Sequence, residues 1–169
     1  MQRSQRLRTH AAAARKIKSL AALVPLVRRA SAGGRRVVFT NGCFDLLHAG
    51  HVELLERAKR LGDVLVVAIN SDQSVRRLKG PHRPIVSARD RALVLAALES
   101  VDYVTVFEEA TPYRVIERLR PNVLVKGADW GARDIVGANV VRQAGGRVAR
   151  VRLVKGRSTS DLIEKIRGA

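Results

Sequence analysis

The sequence predicts an α/β protein, a doubly wound parallel sheet in a single domain, and three observations carry that expectation. Short apolar runs rich in β-branched residues, Val37-Val38-Phe39 and Val64-Leu65-Val66-Val67-Ala68-Ile69 foremost, read as strands buried on both faces. Between such runs the apolar residues fall at helical spacing, so each strand is followed by a crossover helix and parallel pairing is implied. Polar, turn-forming segments recur after successive strands, at 44–51, 70–72, 126–130 and 158–160. In an open α/β sheet those carboxyl ends border one crevice, where ligands bind.

In chain order, Lys16 to Ala30 is expected to be helical, with Ile17, Leu20, Leu23, Val24 and Val27 as its stripe and Ser19 as a cap. Pro25 should kink or divide it. Val37-Val38-Phe39 is the central strand, broken by the turn dipeptide Asn41-Gly42. From Val52 the period changes: Val52, Leu54, Leu55, Ala58 and Leu61 share one helical face, with Gly62 as C-cap. Asp63 to Asn70 is a second buried strand, and Asn70-Ser71-Asp72 caps a short helix over Ser74 to Leu78. Lys79 to Pro84 is a basic, helix-breaking loop. Ser87 caps a helix from Arg89 to Leu98 whose Leu93, Val94, Ala97 and Leu98 are expected to pack inward. Val101 to Phe107 and Val123-Leu124-Val125 are the third and fourth strands, separated by a helix that Pro112 starts. Ile135 to Ala144 is a helix, Val148 to Val154 alternates like an edge strand, and a last helix carries Leu162, Ile163 and Ile166.

At 169 residues and 46% hydrophobic content the chain suits one globular domain with a real core. No apolar run approaches the roughly 20 residues of a membrane span, so no membrane association is expected. The single cysteine, Cys43, excludes an intramolecular disulfide and a cysteine-rich metal site, and no activating base is evident beside it. The net charge of +17 is uneven: residues 1–36 carry ten Lys/Arg and no acid, and the remainder carries +7. A basic cleft suits phosphorylated ligands. The N-terminal excess suits polyanion binding or a solvated tail. Its Arg-, Ser- and Ala-rich character also mimics a transit peptide, against which the fold-like stripe from Ile17 to Val27 argues. The expected organisation is a flexible basic arm at 1–14 and a folded domain at 15–169.

The stretch Thr40-Asn41-Gly42-Cys43-Phe44-Asp45-Leu46-Leu47-His48-Ala49-Gly50-His51 places two imidazoles at i and i+3 where a strand ends and a helix begins. A helix N-terminus offers free N–H groups and a positive dipole to an anion, and Gly50 removes a side chain where a phosphate needs close approach. The parts suit a device that holds a phosphoryl group while charge builds on its oxygens.

This stretch resembles the signature of the nucleotidyltransferase superfamily that carries the H-x-G-H motif, here His48-Ala49-Gly50-His51. The longer string is similar to that of the adenylyltransferases of D-glycero-β-D-manno-heptose 1-phosphate, which occur alone or as the C-terminal half of a bifunctional kinase/adenylyltransferase. The resemblance covers about residues 16–169 and implies a Rossmann-like nucleotidyltransferase domain. It implies transfer of AMP from ATP to the sugar 1-phosphate with release of pyrophosphate, in a bacterial cytoplasm. By it, His48, His51, Lys79 and Arg91 are catalytic, with Arg89 able to stand in for Arg91. Cys43, Phe44, Gly50, Lys126, Gly127, Ser158, Thr159 and Ser160 bind nucleotide. Asn41, Asp45, Asn70, Asp72, Asp129 and Trp130 face the acceptor, although Asp45 can equally be structural. Mg²⁺ is expected to ride on the phosphates rather than on direct protein ligands. A homodimer and a separate sugar kinase are the expected partners.

The glycerol-phosphate cytidylyltransferases share much of this pattern, including Leu54-Leu55-Glu56-Arg57-Ala58-Lys59. They usually carry an arginine where this chain has Leu153, and Arg157 departs from the usual small residue before the Ser-Thr-Ser run. The third alternative, a nucleic-acid or nucleotide-binding module without catalysis, has the basic arm in its favour. Against it stands an aromatic content of only 4%, too little to interleave bases.

Overall fold

The computed structural model describes residues 11–128, 131, 135–152 and 159–168. Helix α1 (Leu20–Ala32), β1 (Val37–Gly42), α2 (Ala49–Lys59), β2 (Val64–Asn70), α3 (Asp72–Lys79), α4 (Ala88–Ala97) and β3 (Tyr103–Phe107) form its first half. Then come α5 (Tyr113–Leu119), β4 (Val123–Gly127), α6 (Ala138–Gln143), β5 (Arg147–Val151) and α7 (Thr159–Arg167). The five strands pair in the order β3-β2-β1-β4-β5, all parallel, with Val37 opposite Val64 and Val38 opposite Val123. Chain order reverses direction at β1, between β2 and β4, which makes its carboxyl end the switch point where an α/β sheet opens a crevice.

The strand period of two divides the core. Val37 and Phe39 of β1, with Val64, Val66 and Ala68 of β2, meet Leu23, Val24 and Val27 of α1 and the helices α5 and α6. Val38, Leu65, Val67 and Ile69 meet Leu55 and Ala58 of α2 and Ala92, Leu95 and Ala96 of α4 on the other face. Every residue of β2 is buried, so its unbroken apolar run follows from being covered on both sides.

Several boundaries differ from expectation for identifiable reasons. Ile17 is held as a parallel bridge to Val104, and Lys18 N–H donates to the Val104 carbonyl at 2.9 Å, so α1 starts only at Leu20. Ser19 caps it by accepting from Ala22 N–H. Pro25 is exposed and sits inside α1 without ending it. Residues 11–16 are helical, and Ala13 packs against the core. The C-cap of α2 is Arg60 rather than Gly62. Gly62 serves a close approach instead, since a Cβ there would meet Arg36 O at 2.6 Å.

Helix α4 is rotated from the expected face: Arg91, Ala92, Leu95 and Ala96 are buried, while Val94 is 46% exposed. The expected stripe followed apolar residues alone, whereas the helix turns to bury a guanidinium. In α7 no residue is fully buried and Ile166 is 70% exposed, so only Leu162 and Ile163 of its stripe are partly covered.

Candidate active site

The site is built where β1 gives way to α2. Thr40 Oγ1 donates to Val125 O at 3.1 Å and fixes the strand end against β4. Past Gly42 the chain turns so sharply that Phe44 adopts φ +47°, a left-handed conformation costly for a bulky residue, by about 1–3 kcal/mol. Such strain persists only where neighbours over-determine it. On one side, the Cys43 carbonyl accepts from Arg91 Nη1 at 2.5 Å. On the other, the Asp45 carboxylate accepts from Ile85 N–H at 2.8 Å, Val86 N–H at 2.9 Å and Arg83 Nε at 2.5 Å. The strained turn puts the Phe44 ring beneath His51, with centroids 5.0 Å apart.

His48 is the N-cap residue of α2 with extended backbone, and His51 lies in its first turn. The two rings stack, centroids 3.8 Å apart and planes 22° from parallel. Burial is the main cause that lowers the His51 pKa to about 4, and the neighbouring His48 adds to it, against a smaller opposing effect of the Leu46 backbone. His51 is therefore neutral at pH 7 before ligand binds, and an incoming anion would favour its protonation.

Arg91 is not a free phosphate ligand in this structure. Its side chain is fully buried, and the guanidinium donates to Val86 O at 2.9 Å, Cys43 O, Asn70 O at 2.9 Å and Asp72 Oδ1 at 2.7 Å. It joins the ends of β1 and β2 to α3 and α4, which makes it a positioning residue for the histidine turn. Asp72 is likewise committed, accepting from Ala88 N–H at 2.8 Å as well as from Arg91, and it lies outside the cleft lining. Asp45 is 3% exposed and saturated by its three donors, so its structural role prevails over a substrate contact. Burial alone would raise its pKa, but the Val86 and Ile85 N–H groups and Arg83 together hold it below the usual value.

A cleft of about 560 Å³ opens over the histidines. From the expected set, Asn41, Cys43, Phe44, Asp45, His48, Gly50, His51, Asn70, Lys79, Lys126, Gly127, Thr159 and Ser160 line it. Ser158, Asp129 and Trp130 lie outside the described residues. Asn70 Nδ2 donates to Ser74 Oγ at 3.0 Å, and its Oδ1 lies 3.8 Å from Cys43 Sγ. Asn41 Oδ1 is a buried acceptor without a partner among the described residues. Burial pushes the Cys43 thiol up, outweighing Lys79, Arg91 and Arg83, which suits a filler rather than a nucleophile. Thr159 Oγ1 reaches Leu46 O at 3.5 Å and draws the start of α7 to the histidine turn. Among the described residues no group of three His, Cys, Asp or Glu could hold a metal. Among the described residues that line the cleft the one carboxylate, Asp45, is saturated by its three donors.

Sequence reading missed Arg83, Leu54, Leu78, Thr111 with its neighbours Ala110 and Pro112, and Val136, all of which line the cleft. Thr111 was discoverable: it follows the carboxyl end of β3, and the rule applied to the other strands reaches it. Arg83 carried no such signal, because its place depends on the loop folding back to Asp45.

A family model described as cytidylyltransferase-like matches residues 39–164. The bifunctional protein HldE of Geotalea uraniireducens (strain Rf4) is 55% identical over 152 residues, covering 90% of this chain and 31% of that protein. The bifunctional protein HldE of Magnetococcus marinus is 57% identical over 140 residues, covering 83% of this chain and 29% of that protein. The chain thus spans about a third of the length of the curated relatives it matches. Among solved structures, the lipopolysaccharide core biosynthesis protein from Thermoplasma volcanium GSS1 matches with a TM-score of 0.60 and 29% identity, over 73% of this chain and 100% of that one.

Proposed function

Because the chain belongs to the cytidylyltransferase-like family, we propose that it transfers AMP from ATP to a sugar 1-phosphate, D-glycero-β-D-manno-heptose 1-phosphate, releasing pyrophosphate and forming ADP-heptose. The observation that carries the reading is the stacked His48–His51 pair at a helix N-terminus, set in a cleft that also holds Lys79 and Lys126. The similarity to two bifunctional HldE proteins and to a lipopolysaccharide core biosynthesis protein supports the sugar and the pathway.

In this mechanism an oxygen of the sugar phosphate attacks the α-phosphorus in line. The bond from that phosphorus to the oxygen bridging to the β-phosphate breaks, and its electron pair leaves on pyrophosphate. Little covalent work falls to the protein, so positioning and charge stabilisation dominate. His48 and His51 contact the α-phosphoryl oxygens, where charge changes most, and the low pKa of His51 lets it enter as a neutral donor. Lys79, at the end of α3, and Thr159 and Ser160, at the start of α7, take the departing phosphates. Mg²⁺ bound by the phosphates would neutralise their charge. Arg91 holds the histidine turn in register from beneath.

The reading includes a homodimer in a bacterial cytoplasm, a kinase domain elsewhere that makes the sugar 1-phosphate, and a basic arm able to bind polyanions. Among the described residues no helix is long and apolar enough to cross a membrane. Pyrophosphate release measured with a panel of triphosphates and phosphorylated acceptors tests the substrates. ATP with heptose 1-phosphate should exceed CTP with glycerol 3-phosphate by at least about tenfold in kcat/KM, which needs only about 1.4 kcal/mol of differential transition-state binding. Parity or a preference for CTP would move the chain to the glycerol-phosphate branch.

A further inference from the structure

Arg83 lines the cleft, and the sequence reading gave it no role. It lies in the loop between α3 and α4, and its side chain is only 16% exposed. Its Nε is committed to Asp45 Oδ2 at 2.5 Å, and that carboxylate is itself locked by the backbone N–H groups of Ile85 and Val86. No hydrogen bond from Nη1 or Nη2 is found among the described residues, and neither atom is among the side-chain atoms buried without a partner, so their four N–H donors reach solvent and are open to a ligand.

The residue lines the same cleft as His48, His51 and Lys79. It also lies close enough to the Cys43 thiol to act on its charge, alongside Lys79. With Nε tied down, the opposite edge of the planar fork is the part left for a ligand. Two parallel N–H donors at fixed spacing match two oxygens of one phosphoryl group, a match a lysine cannot reproduce. Asp45 thus has a purpose beyond closing a turn: it orients the fork and lowers its entropy cost on binding.

We propose that Arg83 is a phosphate-binding residue of this cleft, gripping a phosphoryl group of a substrate through Nη1 and Nη2 while Asp45 holds it from behind. The proposal rests on the nucleotidyl-transfer reading for the identity of the substrate, but the binding of a phosphate does not depend on turnover. The ligand chemistry is a phosphate ester or anhydride, and it has two sources, the polyphosphate of the nucleotide or the phosphate of the acceptor.

Calorimetric binding of pyrophosphate to the unaltered protein, Arg83→Gln, Arg83→Lys and Lys79→Gln tests the proposal without any turnover. Arg83→Gln should raise the pyrophosphate Kd by about tenfold or more, and Arg83→Lys should recover only part of it, because charge returns without the fork. Urea midpoints of the free proteins separate lost binding from lost folding, and the Kd is compared at a temperature where every variant is folded. Steady-state KM values then distinguish the sources: a rise for the triphosphate assigns the grip to the donor, a rise for the sugar phosphate to the acceptor. In Arg83→Gln, a pyrophosphate Kd within about twofold of the unaltered value together with unchanged KM values for both the triphosphate and the sugar phosphate would overturn the proposal. So would full rescue of whichever parameter changes by Arg83→Lys.

Discussion

Replacing Arg91 with Met keeps the length of the side chain and removes the guanidinium, and the structure gives the size of the effect. Four acceptors lose their donor: the carbonyls of Cys43, Asn70 and Val86, and the Asp72 carboxylate. Asp72 is about a third exposed, so water can reach it and its loss is discounted. The carbonyls sit around a fully buried side chain. At about 1–3 kcal/mol for each buried group left unsatisfied, with water recovering some, the expected cost is about 3–5 kcal/mol. That is a large share of the 5–15 kcal/mol typical of a whole domain, roughly. Urea unfolding followed by circular dichroism measures it. The left-handed Phe44 turn should also relax, so the histidine pair loses its geometry and kcat falls along with stability. A stability loss below about 1 kcal/mol with a collapse of nucleotide affinity would refute the scaffold assignment and restore Arg91 as a direct phosphate ligand.

Two further outcomes are expected. Since the folded His51 pKa is about 4 against about 6.5 unfolded, the unfolded state binds more protons between those values and stability falls as pH drops from about 6.5 to about 4. The loss attributable to His51 is on the order of 3 kcal/mol at most, read as the part of the pH slope that disappears in His51→Gln; an unchanged slope would contradict it. Asp45→Asn replaces one acceptor oxygen with a donor facing Arg83 and the loop N–H groups, and should cost about 3 kcal/mol in urea unfolding; a neutral effect would show that the loop is held otherwise.

The strands were legible in the sequence because the bodies of β1, β2 and β4 are buried on both faces and read as unbroken apolar runs, with polar residues only toward their carboxyl ends. The caps Ser19, Ser71 and Ser87 were legible because a hydroxyl before a helical stripe answers a local need. The histidine pair was legible because its strand, turn and helix are contiguous. Arg91 was placed on the right helix but its burial was not foreseen, and the facing of α4 failed with it. Its four acceptors come from residues 5, 19, 21 and 48 positions away. No local pattern reports that a charged side chain will be satisfied so thoroughly that burial becomes favourable. The same holds for Arg83, whose partner Asp45 lies 38 positions away.

The proposed action of the stacked histidines on the phosphoryl group, as charge redistributes, is read most directly from kcat beside ATP affinity for His48→Ala and His51→Ala. A fall in kcat of about 10²–10³ is expected for His51→Ala, the scale of one lost transition-state donor, with a dissociation constant for ATP within about threefold of the unaltered protein. Turnover that survives within a fewfold in both variants would contradict it.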